Sequence, residues 1–474
     1  MIMKKFFVAA AAVCGSLFAG QAIAATANPS SEAVNTPAPT TVNHPDWSRQ
    51  AVIYEVNVRQ FTPEGTFEAI LPHIPRLKDL GVDILWFMPI HPISQENRKG
   101  KLGSYYAVYD YKGVNPEFGS IDDFRALVKA AHDAGMKVII DWVPNHSGCD
   151  NAMVKNHPEY YARNEKGEMF GPYDWTDVYK FDYSNPEMRK MMTDAMAFWL
   201  READIDGFRC DVAGEVPTDF WNENRPQLEK VKPEIFMLAE APKADLMEHA
   251  FDMDYNWPMK DLFSAIAATS GQYTFKGEDG KIKTFPEAHA TDIFKRLDEE
   301  NATYPADSYM MNMITNHDLN SWEGTEFERL GNLQEAFAVL MYTLPGMPLI
   351  YTGQETGMNR AFEFFDKDEA PDWNGNQEVT AFYKKMNALK HARKELAAGS
   401  GVGAPVERLA TVSPDVIAFR RGGVIVAANL GKEAAKPFKK APSVKGMADW
   451  MTGTAAKIPA KLAPGGYLIL TSAE

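Results

Sequence analysis

Residues 205–214 read IDGFRCDVAG, a short apolar run that ends in charged side chains. Similar apolar runs recur along the chain, and each is followed by a stretch with the apolar spacing of an amphipathic helix. Eight of them are strand candidates: VIYEVNV (52–58), VDILWFMP (82–89), KVIIDWV (137–143), IDGFRCDV (205–212), IFMLAEA (235–241), FDMDYNW (251–257), SYMMNMITNHD (308–318) and PLIYTGQE (348–355). Eight apolar strands alternating with helices favour an α/β fold, a closed (β/α)8 TIM barrel, over an open doubly wound sheet.

Two segments depart from this alternation. Residues 145–185 replace a short strand-to-helix loop with a long stretch rich in Tyr, Asp, Gly and Asn, which predicts a small domain inserted over the barrel mouth. After residue 396 the pattern changes to strand-like runs such as VIAFRRG (416–422) and VIVAANL (424–430), separated by Gly and Pro. These runs predict an antiparallel β-sandwich domain over 397–474, behind a barrel domain over 46–396.

The first 24 residues have the pattern of a secretory signal: Lys4 and Lys5, a mainly apolar stretch over 6–20, and a small-x-small site ending at Ala24. The apolar stretch is shorter than the roughly 20 residues that a membrane span requires, so we expect cleavage rather than an N-terminal anchor. Residues 25–45, rich in Pro, Ser, Thr and Asn, are expected to form a flexible leader. The sequence thus predicts an exported protein, periplasmic or extracellular, with no membrane span after signal removal.

The charge balance limits the classes of partner. The 474-residue chain has 49 Lys and Arg against 64 Asp and Glu, a formal net charge of −15. Such a surface repels nucleic-acid backbones and anionic membranes, so we expect neither as a partner. A neutral ligand fits this balance better, and we expect the protein to be a monomer.

Polar side chains end four of the predicted strands, and the active site of a (β/α)8 barrel lies at the C-terminal ends of its strands. These side chains are His146, Arg209 with Asp211, Glu240, and His317 with Asp318. Three carboxylates from three strands are therefore expected at one mouth.

Asp211 and Glu240 have the surroundings of a glycosidase pair. Arg209 and Asp211 share one face of a strand, and a neighbouring guanidinium is expected to lower the pKa of Asp211 and keep it ionised as a nucleophile. Glu240 follows an apolar run, where desolvation is expected to raise its pKa so that it can act as a general acid. In a retaining glycosidase two such carboxyl groups lie about 5–5.5 Å apart.

The remaining strand-end side chains fit sugar binding. Asp318 would be a third, non-attacking carboxylate that binds sugar hydroxyls as the oxocarbenium-like charge develops. His146 and His317 each follow an asparagine, a pairing suited to hydrogen bonds with sugar hydroxyls. Trp175 and Trp373, in long loops, are candidates either for stacking on sugars or for local packing.

At these residues the sequence resembles the alpha-amylase family, glycoside hydrolase family 13, over about 345 residues from 52 to 396. The segments that carry the resemblance are DWVPNH (141–146), GFRCDVAG (207–214), FMLAEA (236–241), ITNHD (314–318), GVDILWFMPI (81–90), GMPLIYTGQE (346–355), YAVYDYKGVNPEFG (106–119) and FDYSNP (181–186).

The resemblance implies a function and a set of roles. It implies hydrolysis of α-1,4-glucosidic bonds in starch or maltodextrins, with Asp211 as nucleophile, Glu240 as acid/base and Asp318 as transition-state stabiliser. The implied subsite for the reacting glucose is lined by Tyr106, His146, Arg209 and His317.

A structural Ca²⁺ is the one cofactor that the resemblance suggests, although the chemistry itself requires no metal. Asn145 matches a calcium ligand of the family, and the other candidate ligands are Asp174, Asp177 and Asp182. The chain departs from many alpha-amylases at Gly214 and Glu215, where they have Lys-His, and this departure puts leaving-side binding of a long glucan and one calcium contact in question.

Three other functions remain open. A transglycosylase of the same family would pass the sugar to another sugar rather than to water. A non-catalytic carbohydrate-binding protein could keep the barrel, although converging carboxylates have no physical purpose there. A metal-dependent barrel hydrolase would use His146 and His317 as ligands.

Overall fold

The computed structural model describes residues 40–472. The predicted signal peptide and residues 25–39 of the predicted leader lie outside them. The strands are β1 (Ile53–Val56), β2 (Ile84–Phe87), β3 (Lys137–Trp142), β4 (His146–Gly148), β5 (Val178–Lys180), β6 (Gly207–Cys210), β7 (Phe236–Ala239), β8 (Met253–Tyr255), β9 (Tyr309–Asn312), β10 (Met347–Tyr351), β11 (Glu407–Arg408), β12 (Val416–Arg421), β13 (Val424–Asn429), β14 (Met447–Asp449) and β15 (Tyr467–Ser472).

Eight parallel strands close into a barrel in the order β1-β2-β3-β6-β7-β8-β9-β10, with β10 pairing back to β1. The predicted (β/α)8 barrel is confirmed: seven of the eight strand candidates contain one barrel strand, and the eighth, 348–355, overlaps β10, which begins one residue earlier at Met347. The α-helices are α1 (Val58–Phe61), α2 (Phe67–Ile70), α3 (Ile74–Leu80), α4 (Ile121–Asp133), α5 (Ala152–Asn156), α6 (Pro186–Glu202), α7 (Thr218–Glu229), α8 (Trp257–Thr269), α9 (Asp292–Thr303), α10 (Glu326–Leu330), α11 (Gln334–Thr343) and α12 (Gln377–Ala392).

Side-chain alternation divides the barrel core into two layers. On β3, Ile139 packs in the barrel interior, whereas Ile140 packs outward among the surrounding helices. Local signals start the helices: the Ser120 side chain caps α4 in a capping box, and the Asn185 side chain accepts two backbone N–H groups ahead of Pro186 at the start of α6. None of the helices in residues 40–472 is long and apolar enough to cross a membrane.

The segment between β3 and α6 leaves the barrel at its mouth. It contains the antiparallel pair β4–β5, in which His146 lies opposite Lys180, and the short helix α5. This is the stretch from which the sequence predicts an inserted domain.

The C-terminal residues form an antiparallel β domain, but the described chain builds one five-stranded sheet, ordered β11-β12-β13-β15-β14, rather than the predicted two-sheet sandwich. One face of the sheet packs on the barrel helices through residues such as Phe419 and Val426. The other face, which includes Ile425 and Leu470, is covered by irregular segments. The segment between β13 and β14 is rich in Lys, Pro and Gly and lacks the alternation that a second sheet requires.

The flexible leader was predicted to extend to residue 45, but its last residues are packed against the barrel. Thr40 and Thr41 donate backbone hydrogen bonds to Ala306 and Glu248, and the buried His44 lies with Nδ1 2.8 Å from the Asp252 carboxylate. Asp252 is fully buried and also binds Arg225. Residues 40–45 are therefore part of the packed structure, because His44 completes the surroundings of a buried carboxylate about 200 residues away.

We predict that His44→Ala lowers the free energy of unfolding by about 1–3 kcal/mol, because Asp252 loses a buried hydrogen-bond partner. Urea unfolding of the two proteins measures the difference. The matched control is His157→Ala, since the side chain of His157 is 48% exposed. Equal stabilities for the two variants would contradict the role given to His44.

Candidate active site

Strand alternation directs a set of charged side chains into the barrel at its C-terminal end. Asp141 and Arg209 are register partners on β3 and β6 and follow the inward positions of these strands. Glu55 on β1 and Glu240, just after β7, have the same inward parity as Ile53 and Leu238. Successive side chains of a barrel strand point alternately to the surrounding helices and to the barrel interior. Every second residue of these strands therefore points into the barrel.

Arg209 lies at the centre of this group and has no solvent exposure. Its Nη1 lies 2.8 Å from Asp141 Oδ1 and 3.1 Å from Asp211 Oδ1, its Nη2 lies 2.8 Å from Glu240 Oε2, and its Nε donates to the Tyr255 hydroxyl at 3.0 Å. One guanidinium thus joins three carboxylates from three strands.

The backbone directly after Asp211 makes a second connection to Glu240. The N–H of Val212 donates to Glu240 Oε2 at 2.9 Å. Val212 has a φ of 40°, a left-handed conformation that is rare for a β-branched residue and costs about 1–3 kcal/mol. The strained turn directs this amide at Glu240.

The expected lowering of the Asp211 pKa is wrong. Burial and the charge of Glu240 raise the pKa of Asp211 well above its usual range, against the opposing effect of Arg209. The guanidinium is shared with Asp141 and Glu240, so it does not fully compensate Asp211. The pKa of Asp211 is therefore set by burial and by the carboxylates around it, and not by Arg209 alone.

His317 is protonated at neutral pH. Burial acts to lower its pKa, but the neighbouring Asp318 and Glu55 carboxylates raise it to about 9. Its Nδ1 pairs with Glu55, while its Nε2 lies 2.8 Å from the Tyr106 hydroxyl, which donates to Asp141 at 3.1 Å. These contacts run from β1 to β3 across the mouth.

His146, unlike His317, is uncharged at neutral pH. Burial lowers its pKa to about 3, so the ring is neutral. The ring packs edge-on against Trp175, with centroids 5.2 Å apart.

A cavity of about 160 Å³ opens above these groups. Six of the seven side chains that the sequence singled out line it, and Arg209 lies buried beneath; the six are Tyr106, His146, Asp211, Glu240, His317 and Asp318. Trp175 also lines the cavity, whereas Trp373 packs on Phe61 and Arg76 away from it. A π-helical turn directly after Asp318 brings Trp322 to the wall.

Three of the four candidate calcium ligands contact protein groups. Asp177 pairs with Lys99 at 3.1 Å, Asp182 accepts hydrogen bonds from Ser184, and Asn145 lies beside His146. Across residues 40–472 no three acidic, imidazole or thiol side chains gather in a group that could hold a metal ion. His317, one of the two candidate histidine ligands of a metal, has both ring nitrogens engaged with protein groups.

Sequence reasoning missed two carboxylates of the site. Glu55 lies inside an apolar strand candidate, and Asp141 was quoted only within a motif. Both could have been identified as charged residues at inward positions of barrel strands. Burying an uncompensated charge is costly, so a charge at such a position indicates a cluster of partners around it.

A parallel (β/α)8 barrel with converging carboxylates at its mouth is an architecture typical of glycoside hydrolases. The model of the alpha-amylase catalytic domain matches residues 38–398. The chain belongs to the alpha-amylase family.

Individual relatives are more distant. The chain is 27% identical to alpha-amylase MalA of Haloarcula japonica over 82% of its own length and 56% of that protein's, and 25% identical to a cyclomaltodextrinase of Thermoanaerobacter pseudethanolicus over 75% and 66%. It therefore spans less than two thirds of the length of these relatives.

Solved structures agree with the fold over nearly the whole chain. An alpha-amylase from Lactobacillus plantarum has a TM-score of 0.75 and 28% identity, covering 90% of this chain and 100% of that one. The structure titled a noncanonic maltogenic alpha-amylase, AmyB from Thermotoga neapolitana, has a TM-score of 0.73 and 26% identity, covering 90% and 99%.

We predict that Glu55→Gln lowers the pKa of His317 from about 9 by about 1 unit or more, because a carboxylate that stabilises the imidazolium is removed. NMR titration of histidine-labelled protein measures this pKa directly. Glu326→Gln, which removes a buried glutamate that does not line the cavity, is the control and should leave the His317 titration unchanged. An unchanged pKa in Glu55→Gln would contradict the assignment.

Proposed function

We propose that the protein is a retaining glycoside hydrolase that cleaves α-1,4-glucosidic bonds of starch or maltodextrins. The observation that carries the proposal is the contact of Asp211 and Glu240 with one guanidinium, in a cavity that Asp318 also lines. Membership of the alpha-amylase family supports the α-glucan substrate class.

In the proposed reaction Glu240 donates its proton to the glycosidic oxygen while an Asp211 oxygen attacks the anomeric carbon. The bond to the leaving sugar breaks, and a covalent glycosyl ester forms on Asp211. Glu240, now a carboxylate, removes a proton from water, whose oxygen displaces Asp211 and restores the α configuration. The first step requires a proton on Glu240 and an ionised Asp211, and the contacts of both carboxyl groups with Arg209 hold them together for it.

The reacting sugar would lie against Tyr106, His317 and Asp318. The protonated His317 places a positive charge beside the sugar, and Asp318 has a partly exposed carboxylate, with 27% of its side chain accessible. The Tyr106 ring lies parallel to Phe364 at 6.3 Å, which gives the cavity an aromatic wall. Such a wall suits the apolar faces of a glucose ring.

Transfer to another sugar remains the alternative within the family. Two of the relatives are named cyclomaltodextrinase and maltogenic alpha-amylase, so short and cyclic maltodextrins are the first substrates to test. Oligomers longer than the substrate, formed early from maltotriose, would favour a transglycosylase. A non-catalytic binding role is disfavoured because the three buried carboxylates Glu55, Asp141 and Asp211 are costly to bury without a chemical purpose.

The catalytic assignment predicts different responses to two substrates. Asp211→Asn should lose activity on both maltoheptaose and α-maltosyl fluoride. Glu240→Gln should lower the rate on maltoheptaose by about 10²–10⁴-fold. It should lower the rate on α-maltosyl fluoride far less, because the fluoride ion leaves without being protonated. Initial rates on both substrates measure this.

Asp219→Asn serves as the control, because this carboxylate is exposed and its side chain is 66% accessible. Wild-type rates on maltoheptaose in Asp211→Asn would refute the nucleophile. Equal losses on the two substrates in Glu240→Gln would refute the general acid.

We further propose export, on the pattern of residues 1–24. One relative, from Bacillus subtilis, is named an intracellular maltogenic amylase, so export is tested on this chain itself. The full-length protein, expressed in a bacterial host, should be recovered outside the cytoplasm with Ala25 as its first residue by N-terminal sequencing. Recovery in the cytoplasm with Met1 or Ile2 at the N-terminus would contradict the proposal.

A further inference from the structure

Residues 240–243, called here the acid turn, begin at the proposed general acid and are bound by a buried carboxylate outside the cavity. This carboxylate belongs to Asp254 on β8, the register partner of Ala239 at the end of β7. Asp254 has no solvent exposure and, unlike Glu240, does not line the cavity. The next residue, Tyr255, packs in the barrel interior, so the side chain of Asp254 points away from it.

Asp254 accepts the backbone N–H groups on both sides of Pro242. Its Oδ1 accepts the N–H of Ala241 at 3.1 Å, and its Oδ2 accepts the N–H of Lys243 at 3.1 Å. The N–H of Glu240 donates to the backbone of β6 at 3.0 Å, and Pro242 has no N–H. Every backbone donor of the acid turn is therefore bound, and two of the three bonds end on one carboxyl group.

Two further donors complete the surroundings of this carboxyl group. The N–H of Tyr255 donates to Oδ1 at 2.8 Å, and the hydroxyl of Tyr304, directly after α9, donates to Oδ2 at 2.9 Å. All four donors are uncharged, whereas the carboxylate of Asp252, two residues earlier, pairs with Arg225. Burial raises the pKa of Asp254 well above its usual range. A carboxyl group buried in this way is costly, so its presence here calls for a physical reason.

The acid turn determines where the backbone of Glu240 lies. The contacts of Glu240 with Arg209 and with the N–H of Val212 act on its side chain, whereas Asp254 acts on the backbone that follows it. The carboxyl group of a general acid must lie within hydrogen-bond reach of the glycosidic oxygen. A displacement of about 1 Å in such a group can lower the rate by about 10²-fold.

We propose that Asp254 is a positioning residue, which fixes the acid turn and thereby holds the carboxyl group of Glu240 in place for proton donation. This proposal rests on the proposed function. Because Asp254 does not line the cavity, its loss should slow the step that needs the proton and leave substrate binding and nucleophilic attack intact.

Two substrates separate this role from a general structural one. Asp254→Asn keeps the shape of the side chain but replaces one acceptor oxygen by an NH₂ group, so one N–H of the acid turn loses its partner. We expect kcat/KM on maltoheptaose to fall about tenfold or more. The value on α-maltosyl fluoride should stay within about twofold, because fluoride leaves without a proton.

A second variant and a matched control accompany this test. Asp254→Thr suits a strand and has one side-chain oxygen in place of two, so it should change the ratio of the two kcat/KM values in the same direction. Tyr304→Phe removes a donor to the same carboxyl group from outside the acid turn. It should lower the free energy of unfolding and leave this ratio unchanged.

Hydrogen exchange gives a readout that does not depend on activity. In Asp254→Asn the backbone amides of the acid turn should exchange faster than in the wild type, because one of them has lost its acceptor. The amides of β3 should exchange as before. Mass spectrometry of peptides that cover residues 240–245 and 137–142 measures both.

Equal losses on the two substrates in Asp254→Asn would overturn the proposal, because they indicate a structural effect on the whole site. Unchanged cleavage of maltoheptaose in this variant, or unchanged exchange in the acid turn, would overturn it as well. A wild-type protein that cleaves neither substrate, or equal losses on both in Glu240→Gln, would instead refute the proposed function, and the role of Asp254 would fall with it.

Discussion

The arrangement of the barrel mouth depends on one buried cation. Arg209 has no solvent exposure and contacts carboxylates from three side chains within 3.1 Å. Removing one partner from such a buried cluster typically costs about 3–5 kcal/mol, because an uncompensated charge remains. The register of β3 with β6, which sets Asp141 beside Arg209, is therefore a condition for the whole site. The second cation, His317, extends the network toward β1 through Glu55.

This network explains why the chemistry is assigned to a pair and not to isolated residues. Asp211 and Glu240 share Arg209 and are further tied through the Val212 amide, and the charge of Glu240, together with burial, raises the pKa of Asp211. Surroundings of this kind allow one carboxyl group to be ionised while its neighbour carries the proton. The inserted segment is tied to the connection that follows Asp211, since Glu215 accepts a hydrogen bond from Tyr173 and pairs with Lys180.

The barrel could be predicted because its strands are apolar on both faces and recur with helices between them, a pattern that depends on local sequence alone. The site residues at strand ends followed from the same pattern. Glu55 was missed because a single charge inside an apolar strand gives no sign of its partner, His317, 262 residues away. The pKa of Asp211 was predicted in the wrong direction because the sequence does not reveal how many carboxylates share one arginine. The packed residues 40–45 were missed for a similar reason, since their composition conceals the contact of His44 with Asp252.

The proposed mechanism depends on which residue carries the sugar during the reaction, and this residue can be identified directly. A 5-fluoro-α-glucosyl fluoride forms the glycosyl ester quickly and releases it slowly, so the labelled peptide can be mapped by mass spectrometry. We expect a label on Asp211 that is absent in Asp211→Asn. A label on Glu240 or Asp318, or turnover of the reagent through a β-configured product with no labelled enzyme, would contradict it.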